Sequence, residues 1–225
     1  MNQNLTEIAY ILDRSGSMQS LCEPAITGFN SFLREQQDTP GEATFSLVLF
    51  DDEYQLHADR SPICEVRPLD ASGYVPRGCT ALLDAIGRSI DHIGKQLAIT
   101  AEKDRPAQVI VAIYTDGYEN ASTDYTEQQI RQMIRHQTNH YGWKFLFLGA
   151  HEDAITTACD YGIDPGNASI VNHDTAGTNA AASSYSRKIR ASRKLAQGSL
   201  EEQDLYDSVT PLAKIVSEET QKFKN

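Results

Sequence analysis

Five side chains in this sequence carry hard oxygen donors in a pattern that could hold a metal ion: Asp13, Ser15, Ser17, Thr80 and Asp116. None is an imidazole or a thiolate, so the set suits Mg²⁺ or Mn²⁺ rather than zinc or copper. Only two of the five are carboxylates. A divalent ion held this way is not overneutralised, and it keeps an electrophilic, exchangeable position for an outside acidic oxygen. Gly16 is read as allowing the tight turn that points both serines inward, and Gly117 as letting the chain leave its strand beside the ion. Taken singly, each residue has a plainer reading. Ser15, Ser17 and Thr80 could be helix N-caps, and Asp116-Gly117 an ordinary turn.

What gives the five weight is where the secondary structure puts them. Residues 6–12 (TEIAYIL), 44–50 (TFSLVLF), 108–115 (QVIVAIYT) and 143–148 (WKFLFL) are short apolar runs rich in β-branched and aromatic residues, with a weaker one at 168–172. Such runs suit strands buried on both faces of a parallel sheet. Residues 54–59 alternate and follow the second strand after only Asp51-Asp52-Glu53, which predicts an antiparallel edge strand. Between the strands, Leu21, Ala25, Phe29, Phe32 and Leu33 repeat at helical spacing, as do Leu82, Leu83, Ile86, Ile90, Ile93 and Leu97. Thr126 and Gln129 have capping-box spacing, and 154–161 and 178–194 are read as further helices. The expected fold is a doubly wound, Rossmann-like α/β sheet. It has about six mostly parallel strands, one antiparallel edge strand and helices on both faces. Ligands of such sheets bind at the carboxyl ends of the strands, where the three oxygen-bearing loops fall.

Composition narrows the function classes. The 225 residues suffice for one sizeable core, assigned here to residues 1–195, with 196–225 as a helical tail whose apolar face of Leu212, Ile215, Val216 and Phe223 either docks on its own domain or binds a partner. A formal charge of −11 argues against a broad nucleic-acid surface, and no window approaches a membrane span. Without a leader-like N-terminus or paired cysteines, a cytoplasmic protein with reduced thiols is expected, a Cys64–Cys79 bridge being the one pairing left open. The basic group Arg187, Lys188, Arg190, Arg193 and Lys194 reads as a solvated helix face, or less simply as an acid-binding patch.

The motifs themselves resemble those of a known family. ILDRSGSM is similar to the DxSxS motif of von Willebrand factor A domains, GCTALLDAI to their Gly-x-Thr segment, and IYTDGYEN to their third-loop aspartate. All three occur in order, which is specific where one alone is not. The resemblance implies a metal-ion-dependent adhesion site. Ser15, Ser17 and Thr80 would contact the ion, with Asp13 and Asp116 acting mainly through water or as outer acceptors. It further implies a protein partner whose Asp or Glu carboxylate replaces a metal-bound water. The intracellular bacterial and phage members of the family fit best.

Around this site Arg14, Met18, Tyr74, Arg77, Tyr118 and Glu119 are expected to form a partner-binding rim. Asp51-Asp52-Glu53 is read as solvating its hairpin turn, and His151, Glu152 and Asp153 as structural. The leading function is a non-enzymatic binding module; an alternative is a scaffold subunit of an intracellular assembly, including one that works with an ATPase, and a metal-dependent hydrolase or phosphotransferase ranks last. A phosphotransferase would want DxDx[TV] where position 15 is Ser, and a serine hydrolase a G-x-S-x-G elbow, which is missing.

Overall fold

The computed structural model describes residues 1–224. Six strands form one sheet: β1 (Asn2–Asp13), β2 (Glu42–Phe50), β3 (Tyr54–Pro62), β4 (Pro106–Thr115), β5 (Lys144–Gly149) and β6 (Ala168–Ile170). Their order is β3-β2-β1-β4-β5-β6, parallel throughout except for the β2–β3 hairpin at one edge. This is the expected doubly wound α/β fold with its antiparallel edge strand. β1 and β4 are neighbours at the point where the winding reverses, so their carboxyl ends open the crevice in which such sheets bind ligands.

Alternation along β1 divides the core. Ile8, Tyr10 and Leu12 face α1 (Cys22–Asp38), α5 (Thr175–Gln197) and α7 (Leu212–Lys224). Ala9 and Ile11 face α2 (Leu82–Ile99), α3 (Glu127–Tyr141) and α4 (Ala154–Asp160). Burial on both faces explains the unbroken apolar runs. Thr126 and Gln129 form the capping box read from their spacing, and Gly142 closes α3 in the left-handed conformation at φ 67°.

Three differences from the sequence reading have clear causes. β3 runs to Pro62 through a bulge in which Arg60 takes φ 42° and turns its guanidinium onto the wholly buried Glu7. β1 extends back to Asn2, which pairs with Pro106 beyond a register shift and whose amide donates to the Arg105 carbonyl at 2.7 Å. α5 starts three residues earlier than its apolar period, because Asp174 caps it by accepting from the Gly177 amide at 2.7 Å.

The basic run on α5 is neither a solvated face nor an open acid-binding patch. Arg187 bonds Asp207 at 2.5 Å and Glu219 at 2.8 Å, while Arg190 and Lys194 hold Asp204 at 2.9 and 2.8 Å. These carboxylates belong to α6 (Glu202–Val209) and α7, so the cations fasten the tail to the domain. Arg193 is wholly buried and donates to the Gln36 and Gly41 carbonyls where α1 ends. Glu201 is the N-cap of α6.

Leu212, Ile215 and Val216 bury the tail's apolar face, whereas Phe223 is 45% exposed and takes no part. Ile215→Ala should therefore lower unfolding stability by about 2–5 kcal/mol. Phe223→Ala should change it by less than about 0.5 kcal/mol. Urea denaturation of the two variants checks both.

Candidate metal site

The three oxygen-bearing loops converge above β1 and β4. Asp13 ends β1 fully buried; one carboxylate oxygen accepts the Ser15 amide at 2.6 Å and the other the Thr115 hydroxyl at 2.6 Å. The Ser15 hydroxyl lies 3.1 Å from that of Ser17, which donates to Asp116 Oδ1 at 2.8 Å. Asp116 Oδ2 lies 2.9 Å from His173 Nε2. Thr80 enters from the second loop, held there by Asn120: its amide donates to the Asn120 side chain at 2.9 Å, and its carbonyl accepts the Asn120 amide at 3.0 Å.

Capping does not explain these hydroxyls. The 3-10 turn Gly16–Leu21 and α2 both lack a side-chain capping bond, so Ser15 and Thr80 face the cluster instead of a helix end. Gly117 and Gly16 do not take positive φ; their value is space. A Cβ on Gly117 would stand 3.1 Å from Thr80 Oγ1 and 3.6 Å from Ser17 Oγ, and one on Gly16 would press on the Gly78 carbonyl. Gly78 is the residue that needs the left-handed region, at φ 62°.

The electrostatics fit a cation. Asp13 and Asp116 are both buried, and among the described residues neither pairs with Lys or Arg. Burial foremost pushes the Asp13 carboxyl up to about 7. The Asp116 charge adds to the rise, and hydrogen bonds from Thr115 and Ser15 oppose it. Two carboxylates and three hydroxyls around one point make a hard-oxygen donor set. Among the described residues no group of three or more His, Cys, Asp or Glu is placed to hold a metal.

The expected rim is only partly at the surface. Met18 is fully buried, and Tyr74 is buried with its hydroxyl donating to the Asp13 carbonyl at 2.5 Å. Glu119 spends its carboxylate on the Leu83, Ala121 and Ser122 amides, bracing the third loop against the start of α2. Arg14 is buried and ion-paired to Asp51 at 3.0 Å; Arg77 reaches the same carboxylate at 2.8 Å but stays half exposed. Asp51 thus organises two loops instead of solvating a turn. Tyr118 remains outward, 55% exposed, with its ring 4.5 Å from that of the buried His151. The sequence reading missed His173, whose approach to Asp116 depends on the loop after β6 and has no spacing signature. All four cysteines are free, so no Cys64–Cys79 bridge forms.

No family model and no curated protein sequence matches the chain. Solved structures do. The vWF domain of the type V pili tip protein Mfa5 from Porphyromonas gingivalis superposes with a TM-score of 0.60 at 11% identity, over 83% of this chain and 95% of that one. The chain has the von Willebrand factor A fold. Proximal thread matrix protein 1 from the mussel byssus, with a zinc-occupied MIDAS motif, gives 0.55 at 16% identity over 77% of this chain. This chain spans 45% of that protein's length. The manganese-loaded TRAP protein of Plasmodium vivax gives 0.52 at 15% identity, over 76% of this chain and 70% of that one.

The raised Asp13 value has a stability consequence. Because the folded state favours the protonated form over the unfolded chain's ordinary value of 3.8, this contribution is full at low pH. It is lost as pH rises toward about 7. Chelator-treated protein should therefore lose on the order of 2 kcal/mol from this group between about pH 5 and 7.5. Asp13→Asn should flatten that slope, as thermal melts at the two pH values would register; parallel slopes would contradict the assignment.

Proposed function

We propose that this domain is a non-enzymatic, metal-dependent protein-binding module. The observation that carries the reading is the continuous oxygen cluster Ser15–Ser17–Asp116, closed by Thr80 and backed by the buried, cation-free Asp13. Ser15, Ser17 and Thr80 would hold one Mg²⁺ or Mn²⁺, with Asp13 and Asp116 as its charge partners. When bound, the cation supplies a Lewis-acidic position open to a partner's Asp or Glu carboxylate. The chain's own residues do the rest. Asp13 fixes the Ser15 amide, Thr115 and Tyr74 fix Asp13, and Gly117 leaves the approach clear.

The mussel protein with its zinc-occupied MIDAS motif and the manganese-loaded TRAP protein, which share the fold, support a divalent ion as the ligand. Three exposed free thiols, Cys64, Cys79 and Cys159, support a reducing compartment and hence the cytoplasm. Calorimetric titration of Mg²⁺ and Mn²⁺ into chelator-stripped protein should register one ion per chain, and Ser15→Ala/Asp116→Ala should lose it. Equal binding by the variant would sink the proposal.

A further inference from the structure

The end of the sheet away from the oxygen cluster carries a different kind of donor. His136 and His140 stand four residues apart on α3, little more than one helical turn of about 3.6 residues, and so share one face of the helix. Both are exposed, and among the described residues neither ring makes a hydrogen bond. Their ring centres lie 4.7 Å apart with the planes at 46°, and the Tyr141 ring stands edge-on to His136 at 5.6 Å.

That separation is the one a shared ion requires. An imidazole nitrogen binds zinc at about 2.0–2.1 Å, and the ring centre lies about 1.1 Å behind that nitrogen. Two imidazoles meeting one ion at about 90–110° therefore place their ring centres about 4.5–5.2 Å apart. Histidines at this helical spacing are how a single helix offers two ligands to zinc. Ring stacking spans similar distances, and a change of spacing separates the two.

The helix is in place before any ion arrives. Ile130 and Ile134 are wholly buried against the sheet, the Thr126–Gln129 capping box fixes the first turn, and Gly142 closes the last. Binding then orders only two side chains, not a segment of backbone. His140 stands in the last turn, where the unpaired carbonyls make the helix end negative and favour a cation. The formal charge of −11 draws cations to the chain as a whole.

Donor type sorts the ions. Imidazole suits Zn²⁺, Ni²⁺ and Cu²⁺, whereas hydroxyls and carboxylates suit Mg²⁺ and Mn²⁺. Position keeps the two sets apart. His136 lines a cavity with Pro106, the first residue of β4, while Thr115, its last, reaches Asp13. The ten residues of β4, at about 3.3 Å each, span about 30 Å. We propose that His136 and His140 form a second, independent metal site, a two-imidazole chelate for a borderline transition ion. Among the described residues no third His, Cys, Asp or Glu is placed with them, so a bound ion keeps water in its remaining positions.

The test titrates Ni²⁺ into the full chain and reads the paramagnetic broadening of assigned amide and imidazole resonances. Thiols are alkylated first, because the exposed Cys64, Cys79 and Cys159 would compete for the ion. Broadening should centre on residues 136–141 and persist both in excess Mg²⁺ and in Ser15→Ala/Asp116→Ala. His140→Ala should weaken binding by about tenfold or more, since the second ligand no longer binds intramolecularly. Thr138→His/His140→Ala keeps two histidines but puts them on opposite faces of α3, and should bind no more tightly than His140→Ala. Broadening centred elsewhere in the wild type, or wild-type affinity in either histidine variant, would overturn the chelate. Loss of the broadening in Ser15→Ala/Asp116→Ala would overturn its independence.

Discussion

The pairing of β1 with β4 is the constraint on which the rest of this structure turns. Leu12 stands opposite Tyr114 in that ladder, so Asp13 and Thr115 leave the sheet side by side and their side chains meet at 2.6 Å. Strand periodicity gives the register no freedom: a slip of one residue would exchange the two core faces and turn Asp13 away from the crevice. Both strands are buried on both sides, which makes such a slip prohibitively unfavourable. Two carboxylates that repel each other are thereby held together with no Lys or Arg partner among the described residues, only His173 reaching Asp116. A fold tolerates such a pair where a ligand or a proton compensates for it.

The same logic of compensation appears at the opposite side of the molecule with the sign reversed. α5 carries five cations in eight residues; the tail supplies carboxylates to Arg187, Arg190 and Lys194 and backbone carbonyls to Lys188. Asp204 and Asp207 are themselves buried, so removing either side leaves an uncompensated charge in the protein interior. Leu212 and Val216 then seal the contact against the core that also holds Tyr10 and Tyr185. The tail packs on α5, fastened by charge outside and by apolar burial inside.

Much of this was legible in the residues. Runs such as TFSLVLF and QVIVAIYT carry the signature of two-sided burial, and three polar loops at strand ends in one topology point to one site. The edge strand was legible because three residues between strands permit only a hairpin. Side-chain partners were not. Tyr74 and Met18 look like surface anchors by type, yet the loops fold them inward to support Asp13 and the core. Arg14 and Arg77 look outward by charge, but Asp51, buried and between them, claims both. The basic run resembles a ligand patch because carboxylates such as Asp204 and Glu219 lie 10 to 32 residues later and come near only through helix packing. His173 has no sequence signature, since its approach to Asp116 depends on where loops from different strands cross. Period fixes elements and their ends, whereas the choice of partner is tertiary.

The central claim is that the oxygens of Ser15, Ser17, Thr80, Asp13 and Asp116 surround a single cation site. Anomalous diffraction from crystals grown with Mn²⁺ tests it most directly. A single strong anomalous peak within coordination reach of the Ser15, Ser17 and Thr80 hydroxyls is the predicted result. A structure with ordered Mn²⁺ elsewhere and none among these oxygens would contradict it.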